Sequence, residues 1–151
     1  MTTDIPTWRE EITVRDYETD FNGTWKPSSF FRLMQLVAGN QSTSIGYNFY
    51  ELMDRGMAWV LSRVRISIAE FPKIDERIVY HTWLNGVQQK LFFIREFDIT
   101  TTDGKRLARA TTASILIDPQ DRRILSPRSL PGHNPEHAVQ VTPLEPLDKL
   151  D

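Results

Sequence analysis

The stretch from Tyr17 to Ile45 reads YETDFNGTWKPSSFFRLMQLVAGNQSTSI. It begins with a polar turn, Asp20 to Gly23, and passes through Lys26-Pro27 into the only long helical pattern of the sequence. Proline suits the first turn of a helix, because its missing N–H would have no partner there. Apolar residues then recur at spacings of three and four, namely Phe30, Leu33, Met34 and Val37. This spacing predicts a long helix with one apolar stripe.

Three features predict how this helix packs and where it ends. Phe31 and Leu36 extend the apolar surface beyond the stripe, so we expect the helix to be mostly buried. Gly39 costs about 1 kcal/mol relative to alanine in a helix interior, which favours close packing against a sheet there. Gly46 is expected to end the helix, and a short second helix is predicted from Tyr47 to Arg55.

The rest of the sequence is dominated by strand patterns. Alternation of apolar and polar residues predicts strands at 9–16, 57–68, 77–84, 90–101 and 106–117, with an edge strand at 122–125. Asn85-Gly86 and Asp103-Gly104 are predicted turns. One long helix with five or six antiparallel strands is an α+β architecture, and the hotdog fold, in which a curved sheet wraps the helix, is the predicted fold. We expect a single domain at 1–126 and an extended, proline-rich tail at 127–151.

Composition excludes several classes of protein. A net charge of -2 argues against nucleic-acid binding, which requires concentrated Lys and Arg. No apolar run is long enough for a membrane span, and the N-terminus lacks the apolar core of a signal peptide, so a cytoplasmic location is expected. Without cysteine, and with His81, His133 and His137 outside any ligand cluster, no metal site is predicted. Glycine-rich nucleotide motifs are absent, so no cofactor is expected.

The turn before the helix is the strongest candidate for chemistry. A carboxylate at Asp20 precedes a helix N-terminus, whose unpaired N–H groups can polarise a carbonyl. Asp20 could then act as a general base on water or attack directly. The alternative is structural: Asp20 and Asn22 hydrogen-bond their own backbone, and Gly23 supplies a positive φ. The residues alone leave both interpretations open.

Three segments carry a resemblance to a known family. They are Asp20 to Gly23 with the following KPSSF and LMQ, Asp54 to Arg63 (DRGMAWVLSR), and Leu107 to Thr112 with ILID. Together they resemble the first hotdog domain of the acyl-(acyl-carrier-protein) thioesterases, over roughly residues 8–125. The D-x-x-G spacing of Asp20 and Gly23 is also similar to the wider 4-hydroxybenzoyl-CoA thioesterase group, where that Asp is the catalytic carboxylate.

The sequence departs from this family in two respects. Family members usually carry two hotdog domains, and the second domain contributes a D-x-N-x-H motif; here the matching positions are Asp20, Asn22 and Thr24, without the histidine. If the acyl-(acyl-carrier-protein) thioesterases are the right comparison, the chain would shape the substrate site without catalysing the reaction. If the 4-hydroxybenzoyl-CoA thioesterase group is the better comparison, Asp20 suffices for catalysis. With Asp20 as base or nucleophile, Asn22 would orient water or substrate, and N–H groups near Gly23 and the helix start would polarise the carbonyl. Gly23 and Thr24 are therefore candidates for substrate binding.

Other residues are candidates for substrate binding. Asn40 and Gln41, at the polar end of the helix stripe, could orient substrate in a partner subunit's site or simply lie in a dimer interface. Trp59 could line an acyl tunnel or belong to the core. Arg63 could meet the phosphates of CoA or of carrier protein, or lie on a solvated sheet face.

The function that these residues favour is hydrolysis of fatty acyl thioesters of acyl-carrier protein or CoA by a homodimer. A second hypothesis is an acyl-binding hotdog domain without catalysis, because Thr24 replaces the histidine. A third is a hotdog hydratase or dehydratase, which generally needs a histidine paired with an acid near the helix, and no histidine occurs before His81.

Overall fold

The computed structural model describes residues 7–130. It contains two α-helices, α1 (Pro27–Ser44) and α2 (Phe49–Asp54). Its six strands are β1 (Thr7–Thr13), β2 (Ala58–Ile68), β3 (Arg77–Gln88), β4 (Phe92–Thr101), β5 (Arg106–Asp118) and β6 (Arg123–Leu125). The strands form one antiparallel sheet in the order β1-β3-β4-β5-β2, and β6 pairs with β5. The curled sheet against one long helix confirms the predicted hotdog fold.

The main core lies between α1 and the sheet. The helix buries one stripe, which includes Phe30, Met34 and Val37, as the periodicity predicted. This stripe belongs to the same cluster as side chains from β3, β4 and β5, namely Ile78, Tyr80, Phe97, Ile99, Leu107, Ala108 and Ala110. The Tyr80 hydroxyl donates to the backbone oxygen of Phe30, so a hydrogen bond also ties the helix to the sheet.

The helix is less buried than its sequence predicted. Phe31 is 36% exposed and Leu36 is 52% exposed, so the prediction of a mostly buried helix was wrong. These residues lie beside the buried stripe, on a flank that the described residues leave uncovered.

Gly39 does not pack closely against the sheet, contrary to the sequence prediction. A Cβ built on it would have no neighbouring heavy atom within 4 Å. The glycine therefore carries the entropic cost of a flexible residue in a helix without a contact that requires it.

We expect Gly39→Ala to raise the free energy of unfolding by about 0.5–1 kcal/mol, because alanine restricts the unfolded chain and the site has room for its methyl group. Gly46→Ala is the matched control. The φ of Gly46 is +89°, so the same change there should destabilise the protein. Urea unfolding of both variants measures the difference, and a loss of stability in Gly39→Ala would contradict the open packing.

One of the two predicted turns is displaced. Strand β3 continues through Asn85 and Gly86, where its pairing with β4 shifts by a bulge between Leu84 and Val87. The chain reverses instead at Gln89 and Lys90, whose φ angles are +54° and +56°. The predicted turn at Asp103-Gly104 is confirmed, with Gly104 at a φ of +93°. The Asn85-Gly86 dipeptide therefore marks a bulge in strand β3 rather than a turn.

Packing continues past residue 126. Pro127 is buried in a short 3₁₀ turn, Pro127–Ser129, and Leu130 is buried in a second cluster with Leu52, Phe93 and Leu116. The remainder of the predicted tail, with His133 and His137, lies outside the described residues. None of the helices within residues 7–130 is long and apolar enough to cross a membrane.

Candidate functional site

A cavity of about 460 Å³ opens between the C-terminal half of α1, helix α2 and the helix-facing side of the sheet. Its volume falls in the range typical of small-molecule sites. Apolar side chains make up one part of its wall: Leu36, Ala38, Tyr47, Phe49, Leu52, Ala58, Trp59, Leu84 and Phe93. Polar side chains make up the other: Gln35, Asn40, Ser42, Thr43, Asn48, Arg95 and Ser114. Such a mixed wall can hold an apolar chain and fix it by a few polar contacts.

Two of the predicted substrate-binding residues lie in this wall. The Asn40 amide nitrogen donates to a Glu10 carboxylate oxygen over 2.6 Å, and the Trp8 indole donates to the same oxygen over 2.7 Å. Trp59 packs edge-on against Phe93, with 4.8 Å between the ring centroids. Its buried Nε1–H has no hydrogen-bond partner. Trp59 therefore both lines the cavity and packs in the second core cluster, so the two interpretations of it are compatible.

Gln41, another predicted substrate-binding residue, lies behind the cavity wall. It is only 2% exposed, and its side-chain oxygen accepts a hydrogen bond from Nη1 of Arg95. The same Nη1 donates to the Thr82 hydroxyl over 3.2 Å, and that hydroxyl donates to the backbone oxygen of Glu96. Burial lowers the pKa of Arg95 to about 10. Gln41 thus orients the guanidinium of Arg95, whose positive charge is largely shielded from solvent.

A second, smaller cavity of about 70 Å³ adjoins the first. The two share Gln35, Ala38, Arg95 and Ser114 in their walls. The smaller one also touches Phe31 and Leu61, and Leu61 belongs to β2, which is a terminal strand of the sheet. The cavity system therefore reaches towards the sheet edge and the exposed flank of α1.

The predicted catalytic residues form a tight turn before α1. One carboxylate oxygen of Asp20 accepts from the backbone N–H of Asn22 over 2.8 Å and from that of Thr24 over 3.1 Å. The Gly23 N–H donates to the backbone oxygen of Asp20, and Gly23 has a φ of +75°. The Asp20 hydrogen bonds and the positive φ of Gly23 are those that the structural interpretation expects, while the role of the Asn22 side chain stays a prediction. Asp20 and Asn22 are both exposed, so their side chains also remain accessible to a substrate.

The turn and the cavity lie at opposite ends of the helix. No residue from 20 to 24 lines the larger cavity, whose α1 residues run from Gln35 to Thr43. From Pro27 to Asn40 the helix rises about 20 Å at 1.5 Å per residue. Within one chain, the structure therefore does not bring Asp20 together with Asn40, Gln41 or Trp59.

Arg63 lies on the other face of the sheet. Its guanidinium stacks 4.8 Å from the centroid of the Phe92 ring, and its three side-chain nitrogens are buried without a hydrogen-bond partner in the described part of the chain. It lines neither of the two cavities described above. A contact between Arg63 and phosphate would require the guanidinium to leave this ring, so the predicted role stays untested.

Histidine and acidic residues do not assemble a metal site in the described part of the chain. His81 packs against Trp83, with 4.9 Å between ring centroids, on a strand position next to Asp98. Burial and the nearby Arg9 lower its pKa below the usual value, while Asp98 opposes that shift. This environment favours a neutral imidazole, away from the cavity wall.

Sequence analysis missed Arg95, the most buried cation of the wall. In the segment FFIREFDI of β4 it occupies the only charged helix-facing position, next to Phe93, Phe97 and Ile99 on the same face. An arginine at an inward position of an apolar strand could have indicated a polar site. Tyr47, Asn48 and Ser114 were also missed, because their convergence depends on contacts between distant parts of the chain.

A curled antiparallel sheet around one long helix, with a cavity at the helix flank, defines the hotdog-fold class, which includes many thioesterases. An acyl-ACP thioesterase from Bacteroides thetaiotaomicron matches with a TM-score of 0.79 and 24% identity, over 96% of this chain and 57% of that one. A 1,4-dihydroxy-2-naphthoyl-CoA thioesterase from Synechocystis matches with a TM-score of 0.73 and 18% identity, over 82% of this chain and 92% of that one. At these identities the matches establish the fold.

Residues 6–127 match the model of the acyl-ACP thioesterase N-terminal domain, so the chain belongs to that family. The oleoyl-acyl carrier protein thioesterase of Coriandrum sativum is 25% identical over 134 residues, which are 82% of this chain and 35% of the relative. A related enzyme of Arabidopsis thaliana is 23% identical over 133 residues. The chain thus spans about a third of the length of these curated relatives. The resemblance found in the sequence is confirmed.

Proposed function

We propose that this protein hydrolyses fatty acyl thioesters of acyl-carrier protein or CoA, with the acyl chain in the larger cavity. The observation that carries the proposal is the 460 Å³ cavity between α1, α2 and the sheet, whose wall combines Trp59 and Phe93 with polar side chains. The family supports the reaction class, since its name and its named relatives refer to acyl-ACP thioesterases. The chain contains no cysteine and so no disulfide that would require an oxidising compartment, and we propose a cytoplasmic location.

In the proposed reaction, Asp20 accepts a proton from water while the water oxygen attacks the thioester carbonyl. The carbon–sulfur bond then breaks, and the proton passes from Asp20 to the leaving thiolate, which gives a carboxylic acid and a thiol. The N–H groups of Gly23 and Thr24 already donate within the turn, to Asp20. The Ser28 N–H, in the first turn of α1, is the better candidate to bind the carbonyl oxygen, because Pro27 has no N–H and the Ser29 N–H donates to Lys26.

Asp20 and the polar end of the cavity at Asn40 meet only if two hotdog units contribute to one site, because α1 rises about 20 Å between Pro27 and Asn40. We propose a homodimer that pairs through β2. This terminal strand is 11 residues long, and Val60 and Leu61 on it are 39% and 40% exposed. Long apolar edge strands favour pairing with another strand. In such a dimer, Asn40 would face the reacting group bound near Asp20 of the other subunit.

We expect Leu61→Lys to convert the dimer into a monomer and to abolish most thiol release, because a lysine on the strand edge opposes pairing. Ile124→Lys is the matched control, since Ile124 is a 50% exposed apolar residue on β6. Light scattering after gel filtration gives the mass of each variant. A wild-type protein that is monomeric and fully active would contradict the dimer.

The activity itself is tested by thiol release from dodecanoyl-CoA and dodecanoyl-acyl-carrier protein, followed with a thiol reagent. The proposal expects saturable turnover of at least one of the two. Background hydrolysis with both carriers, over a range of chain lengths, would contradict it.

A second candidate is an acyl-binding protein without catalysis. The observations that favour it are Thr24 in place of the family's histidine and the two backbone N–H groups that already bond Asp20. This candidate expects an acyl-CoA to raise the melting temperature while no thiol is released. Turnover by a clean preparation would exclude it. A hydratase or dehydratase has no supporting observation in the cavity wall, which contains no histidine.

A further inference from the structure

Arg95 is a buried cation that has no ionic partner among residues 7–130. The residue is only 8% exposed, and desolvation lowers its pKa to about 10. Its two hydrogen bonds within the described residues go to Gln41 and Thr82, which are both neutral. The ion pairs found in that part of the chain, Arg77–Glu11, Lys105–Glu70 and Arg106–Asp98, do not include it. A buried charge is normally compensated by an opposite charge.

Two nitrogens of the Arg95 side chain, Nε and Nη2, can still donate hydrogen bonds to a ligand. Both recorded hydrogen bonds come from Nη1, so Nε and Nη2 are not used by the described residues. These two nitrogens make the side-on fork of a guanidinium, which binds both oxygens of a carboxylate at once. Neither nitrogen is among the buried, unpartnered side-chain atoms of the described residues, which agrees with a guanidinium that is open to free space. Arg95 lines both cavities, so a ligand in the cavities could reach these two nitrogens.

We propose that Arg95 forms a carboxylate-binding subsite inside the cavity. The ligand is an aliphatic chain that carries a carboxylate, held by Nε and Nη2, while its methylene groups pack against Trp59 and Phe93. The carboxylate has two possible sources: the far end of an acyl group that bears a second carboxyl, or the fatty acid that hydrolysis releases. The subsite lies in the cavity of the proposed thioesterase function, but its binding test does not depend on turnover.

Calorimetric titration with decanoate and with 1-decanol tests the subsite, because the two chains have equal length and differ in charge. We expect the wild type to bind decanoate at least about tenfold more tightly, as charged hydrogen-bond pairs contribute that much. Arg95→Met should remove the preference. Arg65→Met, a change on the exposed side of β2, should keep it.

Gln41→Glu gives a second test that retains the arginine, in case Arg95→Met does not fold. A glutamate at position 41 supplies an internal carboxylate to Nη1, so decanoate should lose its advantage over 1-decanol. Circular dichroism checks that each variant is folded. Equal binding of decanoate and 1-decanol by the wild type, or a decanoate preference that survives in Gln41→Glu, would overturn the proposal.

Kinetics then separate the two sources. If the substrate carries the carboxylate, kcat/KM for 9-carboxynonanoyl-CoA should exceed that for decanoyl-CoA at least tenfold, and Arg95→Met should remove the difference. If the product carries it, the two substrates should react alike, and decanoate should inhibit the wild type more strongly than Arg95→Met. Decanoate binding without any thiol release would support the subsite and refute the proposed hydrolysis. Thiol release without a preference for decanoate would support the proposed hydrolysis and refute the subsite.

Discussion

Asp20→Asn is expected to lower kcat/KM for thiol release at least about a hundredfold, because a general base commonly contributes that much to a rate. The change is unusually clean at this position. Asparagine retains the side-chain oxygen that accepts from the N–H groups of Asn22 and Thr24, so the turn should persist. The variant removes the negative charge and leaves the backbone hydrogen bonds in place.

Asp103→Asn is the control for the loss of one surface carboxylate. Asp103 also lies in an exposed turn and accepts a local hydrogen bond, from the hydroxyl of Thr101. We expect its kcat/KM to stay within about twofold of the wild type, with both variants melting within about 2 °C of it, since surface changes of this kind are small. Wild-type turnover in Asp20→Asn would refute the assignment of Asp20 as base or nucleophile.

Trp25→Ala should cause the largest loss of stability, about 3–5 kcal/mol, because it removes a fully buried aromatic side chain. Trp25 is 1% exposed and packs edge-on against Phe30, with 4.6 Å between ring centroids, and against Tyr80 at 6.3 Å. Its Nε1 has no hydrogen-bond partner, so the loss is one of packing. For a chain of this size the melting temperature should fall by about 10 °C or more.

Phe21→Ala provides the matched control for this prediction. Phe21 lies in the same segment before α1 but is 97% exposed, so its removal should change the free energy of unfolding by less than about 0.5 kcal/mol. Chemical denaturation measures both variants. Similar effects of the two substitutions would contradict the burial of Trp25 under the helix.

Local periodicity was sufficient to predict most of the fold. The spacing of Phe30, Met34 and Val37 identified the buried stripe of α1, and alternation identified the strands that cover it. These patterns depend on which face of an element is buried, and one sequence carries that information. The exposed Phe31 and Leu36 were misjudged, because sequence patterns do not distinguish a core face from an exposed apolar flank.

The candidate site was predictable only in part. The Asp20 turn could be found because its residues are consecutive, and Asn40 and Trp59 because they belong to the resembling segments or end the helix stripe. The cavity could not be predicted from the sequence, since it forms only where α1, α2 and β4 enclose a space together. Arg95 became a candidate only when its neighbours, Gln41 and Thr82, proved to be neutral.

The proposed function depends most on where the acyl group binds. The most direct measurement is a crystal structure of the protein with S-dodecyl-pantetheine, a thioether that resembles the substrate but cannot be hydrolysed. We predict that the alkyl chain lies in the 460 Å³ cavity against Trp59 and Phe93. An alkyl chain bound on the opposite face of the sheet, beside Phe92 and Arg63, would contradict the account.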